Sequence, residues 1–89
     1  WEVINEPEWG IRESGSVHGE IPQPVSLAEM QRFVAEVTGA IRRNSNQTIT
    51  VGSASLKWNA DGLPAVAGNW WSDAALKQYD AQGYLDYYQ

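Results

Sequence analysis

A chain of 89 residues is long enough for one small domain, but at that length folding hides only about 60% of the unfolded surface and stability is marginal. Cysteine is absent, so neither a disulfide nor a thiolate metal site can replace core area. The net charge of −5 disfavours nucleic acid and anionic membrane surfaces as partners, and no apolar run approaches the roughly 20 residues of a membrane span. A neutral ligand fits this composition better, and nothing in it suggests a cofactor.

The chain opens with a predicted strand. Trp1 to Asn5 alternates bulky and β-prone residues, and the run stops at Pro7, which cannot donate to a ladder and pushes Glu6 toward an extended conformation. We therefore expect a short strand that ends at Asn5 or Glu6. The segment from Glu8 to Gln23 is rich in Gly, Ser, Glu and Pro without a sustained period, which predicts a long loop above the carboxyl end of that strand.

A helix follows from Ser26 to Arg43. Ser26 offers an N-cap, and Glu29 completes a capping box three residues later. Arg42 and Arg43 suit the negative end of the helix dipole. Apolar residues recur at helical spacing through the segment, at Leu27, Met30, Phe33, Val34, Val37 and Ile41.

The second half of the chain predicts further strands. Thr48 to Ser53 is a β-branched run ended by Gly and Ser, which indicates a strand. A second irregular stretch runs from Ser55 to Trp71, Asp73 is placed to cap a short helix over Ala74 to Tyr79, and Leu85 to Gln89 reads as a third strand. Strand, helix and strand in this order predict an α/β fold with about three parallel strands and intervening helices, within one unit of residues 1–89.

The residues with the clearest chemistry are Asn5-Glu6-Pro7, at the point where the first strand gives way to a loop. Active sites of parallel α/β barrels are built at that rim. Glycoside cleavage needs a carboxylic acid near the leaving oxygen and a second carboxylate about 5–5.5 Å away in retaining enzymes. Glu6 could be the acid, and Asn5 could donate to a sugar hydroxyl. Adjacent strand residues point to opposite faces, so both reach one substrate only if a bulge or twist breaks the alternation. Alone, the tripeptide also fits a solvated Glu that starts a loop.

The nonapeptide from Trp1 to Trp9, WEVINEPEW, closely resembles the end of the fourth barrel strand in the clan of retaining (β/α)8 glycoside hydrolases that includes family 5 cellulases and β-mannanases. The later elements follow the same order, with 26–43 as the fourth helix, 48–53 as the fifth strand and 85–89 as the start of the sixth. By this resemblance the chain is part of a TIM barrel, Glu6 is the general acid/base and Asn5 holds the hydroxyl next to the anomeric carbon. The family's nucleophile is a Glu on the seventh strand, beyond Gln89, so the chain alone is expected to be inactive. The resemblance also implies an extracellular location, and leaves glucan, mannan and xylan open as substrates.

Five tryptophans and four tyrosines are a heavy aromatic load. The apolar C–H faces of pyranose rings stack on aromatic planes, so tryptophans in the two long loops are candidate sugar platforms: Trp9, Trp58, Trp70 and Trp71. Packing within the loops is the alternative for each of them. Trp1 is expected in the core.

Other candidates are weaker. His18 is the single histidine and has no second ligand nearby in sequence, so no metal site is predicted. The loop carboxylates are Glu8, Glu13, Glu20 and Asp61, each with a small chance of touching substrate.

Three functions fit these observations. The first is a piece of a retaining endo-glycosidase acting on β-1,4-linked polysaccharide, with the remaining segments of its parent barrel or copies of itself as protein partners. The second is a small carbohydrate-binding module that stacks Trp and Tyr on sugars. Such modules are mostly antiparallel sandwiches, whereas the capped helix between two strands predicts a parallel sheet. A small structural or interaction protein with no site is the third.

Overall fold

The computed structural model describes residues 1–17, 19–60 and 68–89. Within these ranges, strands β1 (Glu2–Asn5) and β2 (Thr50–Gly52) pair in parallel, and helix α1 (Leu27–Asn44) lies between them in the chain. A short helix α2 (Asp73–Lys77) follows β2. The predicted α/β class with parallel strands and intervening helices is thus confirmed.

Helix α1 begins where the capping box predicted. Glu29 N donates to Ser26 Oγ at 3.1 Å, and Ser26 N donates to Glu29 Oε2 at 2.7 Å. The bond from Ser26 N is the largest of the contacts that hold the pKa of the Glu29 carboxyl below its ordinary value. The helix ends at Asn44, one residue beyond the predicted end, with Arg42 and Arg43 in its last turn.

The buried face of α1 differs from the predicted apolar stripe. Val34 is buried as expected, but Phe33 is 48% exposed. Gln31 is buried instead, and its burial is compensated by a hydrogen bond from its Nε2 to Trp70 O at 2.7 Å. Trp1, expected in the core, is 65% exposed. Among the described residues, the core consists of Ile11, Val34, Ala35, Ile49, Val51, Trp58, Trp70, Trp71, Leu76 and Leu85.

The third predicted strand, Leu85 to Gln89, is not formed as a strand. The segment lies beside β2, since Asp86 N donates to Ile49 O at 2.9 Å. Side chains then take the place of regular ladder bonds. Ile49 N donates to Asp86 Oδ2 at 2.8 Å, and Thr50 Oγ1 donates to Tyr87 O at 2.8 Å. Because these hydrogen bonds involve side chains, the regular backbone pairing that defines a strand is interrupted here.

Arg42 ties the end of α1 to the last segment. Its guanidinium donates to Tyr84 O at 2.7 Å, to Gln82 O at 3.2 Å and to both Asp86 carboxylate oxygens, and it lies 3.8 Å from the centroid of the Tyr84 ring. Arg42 holds the pKa of Asp86 below its ordinary value, against the effect of partial burial. The same carboxylate therefore joins the helix and the edge of β2.

The described parts of the two long loops contain more regular turns than their composition predicted. The first has 3-10 turns at Pro7–Gly10 and Arg12–Ser14, and its Ile11 is buried and bridges Val25. The second has a 3-10 turn at Leu56–Trp58. Helix α2 is capped by Ser72, whose Oγ accepts from Ala75 N, and not by Asp73. No helix in the described ranges is long and apolar enough to cross a membrane.

Gly83 marks a close approach to α1. A Cβ atom at this position would lie 2.8 Å from the Cα, Cβ and O atoms of Ala35. Gly83→Ala is expected to lower the free energy of unfolding by about 1–3 kcal/mol, because overpacking at a rigid backbone forces a shift. Urea unfolding followed by circular dichroism measures the change. Gly10→Ala is the control, since its nearest atom, Ile21 Cδ1, is 3.7 Å away, and equal midpoints for the two variants would contradict the prediction.

Candidate active site

Glu6 lies directly after β1, at a left-handed backbone position. Its φ is 48° and its ψ is 50°, the one positive φ of a non-glycine residue within the described ranges. Its backbone N donates to Gly52 O at 2.5 Å, and the turn Pro7–Gly10 begins next to it. A non-glycine residue in this region costs about 1–3 kcal/mol, and such residues cluster at functional sites. The Glu6 side chain is exposed.

The strand before Glu6 contains the irregularity that the sequence required. Glu2 is opposite Thr50 and Asn5 is opposite Gly52, so three steps on β1 match two on β2. One extra residue on a strand is a bulge, and bulges re-aim side chains beside active sites. The alternation of β1 is therefore broken immediately before Asn5 and Glu6.

Asn5 packs over the end of β2. A Cβ atom at Gly52 would lie 2.8 Å from Asn5 Oδ1 and 2.7 Å from Glu2 Oε2. A side chain at Gly52 would therefore require the exposed ends of both side chains to shift. Gly52 thus accepts the backbone hydrogen bond of Glu6 and lies against the Asn5 side chain.

Trp9 lies against Glu6 and donates two hydrogen bonds to it. Its Nε1 donates to Glu6 Oε2 at 3.1 Å, and its backbone N donates to Glu6 O at 3.3 Å. The ring is half-buried and meets Trp58 edge to face, with centroids 6.1 Å apart and planes at 80°. Of the four candidate tryptophans, the structure places this one against the candidate acid.

Trp58 and Trp70 are buried, as the alternative of packing within the loops requires. They are 4% and 6% exposed, and their ring centroids are 5.8 Å apart. Trp70 N donates to Trp58 O at 2.8 Å, and Lys57 Nζ lies 4.0 Å from the centroid of the Trp58 ring. A sugar platform needs an open ring face, and the two rings instead cover each other and the core.

Trp71 is a core residue, which is again the packing alternative. It is 1% exposed, and its Nε1 donates to Glu8 Oε1 at 2.9 Å. Its place in the irregular stretch from Ser55 to Trp71 made it a candidate sugar contact. A buried carboxylate that satisfies the indole N–H is what allows the whole ring to enter the core.

Glu8 is the residue that sequence reasoning missed. It is 0% exposed, although it was expected to be an ordinary loop carboxylate. Ser53 Oγ donates to its Oε1 at 2.6 Å and Ala54 N donates to its Oε2 at 3.1 Å. These partners and Trp71 lie 45 to 63 residues away in sequence, so no local signal could have revealed them.

The other loop candidates are not gathered at this site. Glu13 Oε2 accepts from Leu27 N at 2.7 Å and so supports the start of α1, and Glu20 is exposed. His18 and Asp61 lie outside the described residues. Among residues 1–17, 19–60 and 68–89, no group of three or more His, Cys, Asp or Glu is placed to hold a metal ion.

No protein-family model and no curated protein matches this chain. Among solved structures, the chain is similar to the X-ray structure of a beta-mannanase from the blue mussel Mytilus edulis, with a TM-score of 0.80 and 30% sequence identity. The similarity covers 100% of this chain and 30% of the mussel chain. The chain therefore has the fold of part of a TIM-barrel protein, and the solved neighbour is a glycoside hydrolase.

Proposed function

We propose that the chain is a segment of a retaining endo-glycosidase of the family 5 type that hydrolyses β-1,4-linked polysaccharide, with Glu6 as the general acid/base. The observation that carries this proposal is the placement of Glu6. Its carboxylate is exposed at the carboxyl end of a parallel strand, after a bulge and in a strained backbone position, with Trp9 Nε1 on one oxygen. The likeness to a beta-mannanase favours mannan over cellulose or xylan.

In the whole barrel, Glu6 would first protonate the leaving oxygen and later remove a proton from the attacking water. The Asn5 amide would donate to the hydroxyl next to the anomeric carbon, an interaction that strengthens as charge develops there. Another part of the parent protein would supply the nucleophilic carboxylate. Both steps need Glu6 held in one orientation, which the Trp9 hydrogen bond supports.

The burial of the aromatic rings narrows the proposed sugar contacts. Trp9 is half-buried and adjacent to Glu6, so it stays a candidate sugar contact. The other three candidates belong to the core, where Trp58 packs against Trp9 and Trp71 donates to Glu8. A free-standing carbohydrate-binding module is the less favoured alternative, because three of the four tryptophans that it was expected to use are buried.

The apolar surface beside β1 fits a segment of a larger barrel. A groove with almost no polar lining is formed by Ile4, Val25, Met30 and Phe33, next to Glu29. In the described ranges β1 pairs with β2 alone. We propose that remaining segments of the parent barrel cover this groove, and that copies of the chain associate through it when those segments are absent. The parent is proposed to be secreted.

Two measurements test the proposed function. The purified chain is expected to release no reducing sugar from galactomannan, carboxymethyl cellulose or xylan, because one carboxylate cannot complete the retaining reaction. The graft, defined as the mussel beta-mannanase with its aligned segment replaced by this chain, is expected to hydrolyse galactomannan. Turnover by the chain alone would contradict the claim of an incomplete site, and a folded graft without turnover would contradict the proposed function.

A further inference from the structure

Glu8 is a fully buried carboxylate that the proposed reaction does not use. None of the ion pairs among the described residues includes it, so hydrogen-bond donors alone compensate its burial. Placing a carboxylate in a core without a cation is expensive, and an apolar side chain of similar size is usually at least as stabilising. Stability is therefore a poor reason for a Glu at this position.

The donors to Glu8 show what the carboxylate is attached to. Ser53 Oγ and Ala54 N come from the residues that directly follow β2. The third donor, Trp71 Nε1, comes from the segment just before α2. Glu8 thus connects the first loop both to the residues after β2 and to the core residue Trp71.

The same stretch of chain holds Glu6. Gly52 O accepts from Glu6 N at 2.5 Å, and Gly52 directly precedes the two residues that bind the Glu8 side chain. Only Pro7, whose φ is fixed by its ring, lies between Glu6 and Glu8. The end of β2 and the two residues after it therefore bind the chain at Glu6, through its backbone N, and at Glu8, through its side chain.

We infer that Glu8 is a positioning residue for Glu6, whose left-handed backbone it maintains by anchoring the turn Pro7–Gly10 to Ser53, Ala54 and Trp71. A strained conformation persists only where the surroundings over-determine it. Without the Glu8 anchor, the turn is free to relax toward the extended conformation that the residue before a proline prefers. Glu6 would then leave Trp9. The catalytic meaning of this inference rests on the proposed function, whereas the geometry does not.

The test uses the indole N–H resonances of the whole chain in nitrogen-15 NMR spectra at neutral pH. The Trp9 resonance, assigned with Trp9→Phe, reports its bond to Glu6, and Glu6→Gln gives its position when that carboxylate charge is removed. Glu8→Leu is expected to move the Trp9 resonance at least as far as Glu6→Gln does, while Glu8→Gln, which keeps an acceptor for Ser53 and Trp71, moves it less. Trp71→Phe deletes one donor, keeps an aromatic ring and serves as the second variant if Glu8→Leu does not fold.

The matched control is Glu13→Gln, which alters a carboxylate that accepts a backbone bond elsewhere in the same loop and is expected to leave the Trp9 resonance unchanged. An unchanged Trp9 resonance in folded Glu8→Leu or Trp71→Phe would overturn the inference. So would equal movement of all the indole resonances, which indicates general loss of packing, or a wild-type Trp71 resonance at the position of a solvent-exposed indole. An inactive graft that keeps the Glu8-dependent Trp9 resonance would remove the proposed function and leave the positioning role in place.

Discussion

Glu6→Gln in the graft is expected to lower kcat on galactomannan by about 10²–10⁴-fold, the usual contribution of general acid–base catalysis. The amide keeps the size of the side chain and an acceptor for the Trp9 indole, but it cannot deliver a proton to the leaving oxygen. The loss should be smaller on aryl glycosides, whose leaving groups need less protonation. Initial rates on both substrates measure the effect.

The control for this substitution is Glu36→Gln. Glu36 is exposed on the outer face of α1, where it pairs with Arg32, and its substitution is expected to leave kcat unchanged. Because Glu6 is also exposed, both variants should unfold within about 0.5 kcal/mol of the parent graft. Wild-type turnover by Glu6→Gln, or an equal loss in both variants, would show that Glu6 is not the acid/base.

Trp71→Ala is expected to lower the free energy of unfolding of the chain by about 3–5 kcal/mol. The side chain is 1% exposed, and its removal leaves both a cavity and a buried Glu8 oxygen with one donor fewer. A domain of this length typically has a free energy of unfolding of about 5–13 kcal/mol in total, so the expected loss is a large fraction of the whole. Urea titration followed by circular dichroism gives the value.

Two further substitutions separate the causes. Trp1→Ala is the matched control, since Trp1 is exposed, and its effect should stay below about 1 kcal/mol. Trp71→Phe keeps most of the buried ring and loses only the bond to Glu8, so it should cost about 1–3 kcal/mol. If Trp71→Ala and Trp1→Ala gave the same midpoint, Trp71 would not be part of the core.

Local signals in the sequence predicted the local structure well. Ser26 and Glu29 lie three residues apart and bond to each other, so the start of α1 follows from neighbours in the chain. The end of β1 follows in the same way from Pro7. The prediction of a third strand was wrong because the side-chain bonds that interrupt it join residues 37 positions apart. No local pattern in the sequence reveals such bonds.

In the candidate site, too, the residues identified by neighbours in the chain were predicted, and the contacts between distant residues were not. Asn5 and Glu6 are contiguous, so one motif could identify both. The irregular composition of the stretch from Ser55 to Trp71 left Trp70 and Trp71 as candidate sugar contacts, whereas tertiary contacts bury both rings. The burial of the loop carboxylate Glu8 could not be predicted, because its three donors are distant in sequence and only the folded chain brings them together.

The most direct test of Glu6 as the acid/base is the configuration of the product that Glu6→Ala in the graft forms with azide and an activated aryl mannoside. Azide needs no general base, so it should attack the covalent glycosyl-enzyme intermediate, restore turnover and give the β-glycosyl azide. An α-glycosyl azide would mean that azide replaced a missing nucleophile and that Glu6 had been that nucleophile. No rescue by azide would mean that Glu6 is not the acid/base, and either result would contradict the role proposed for it.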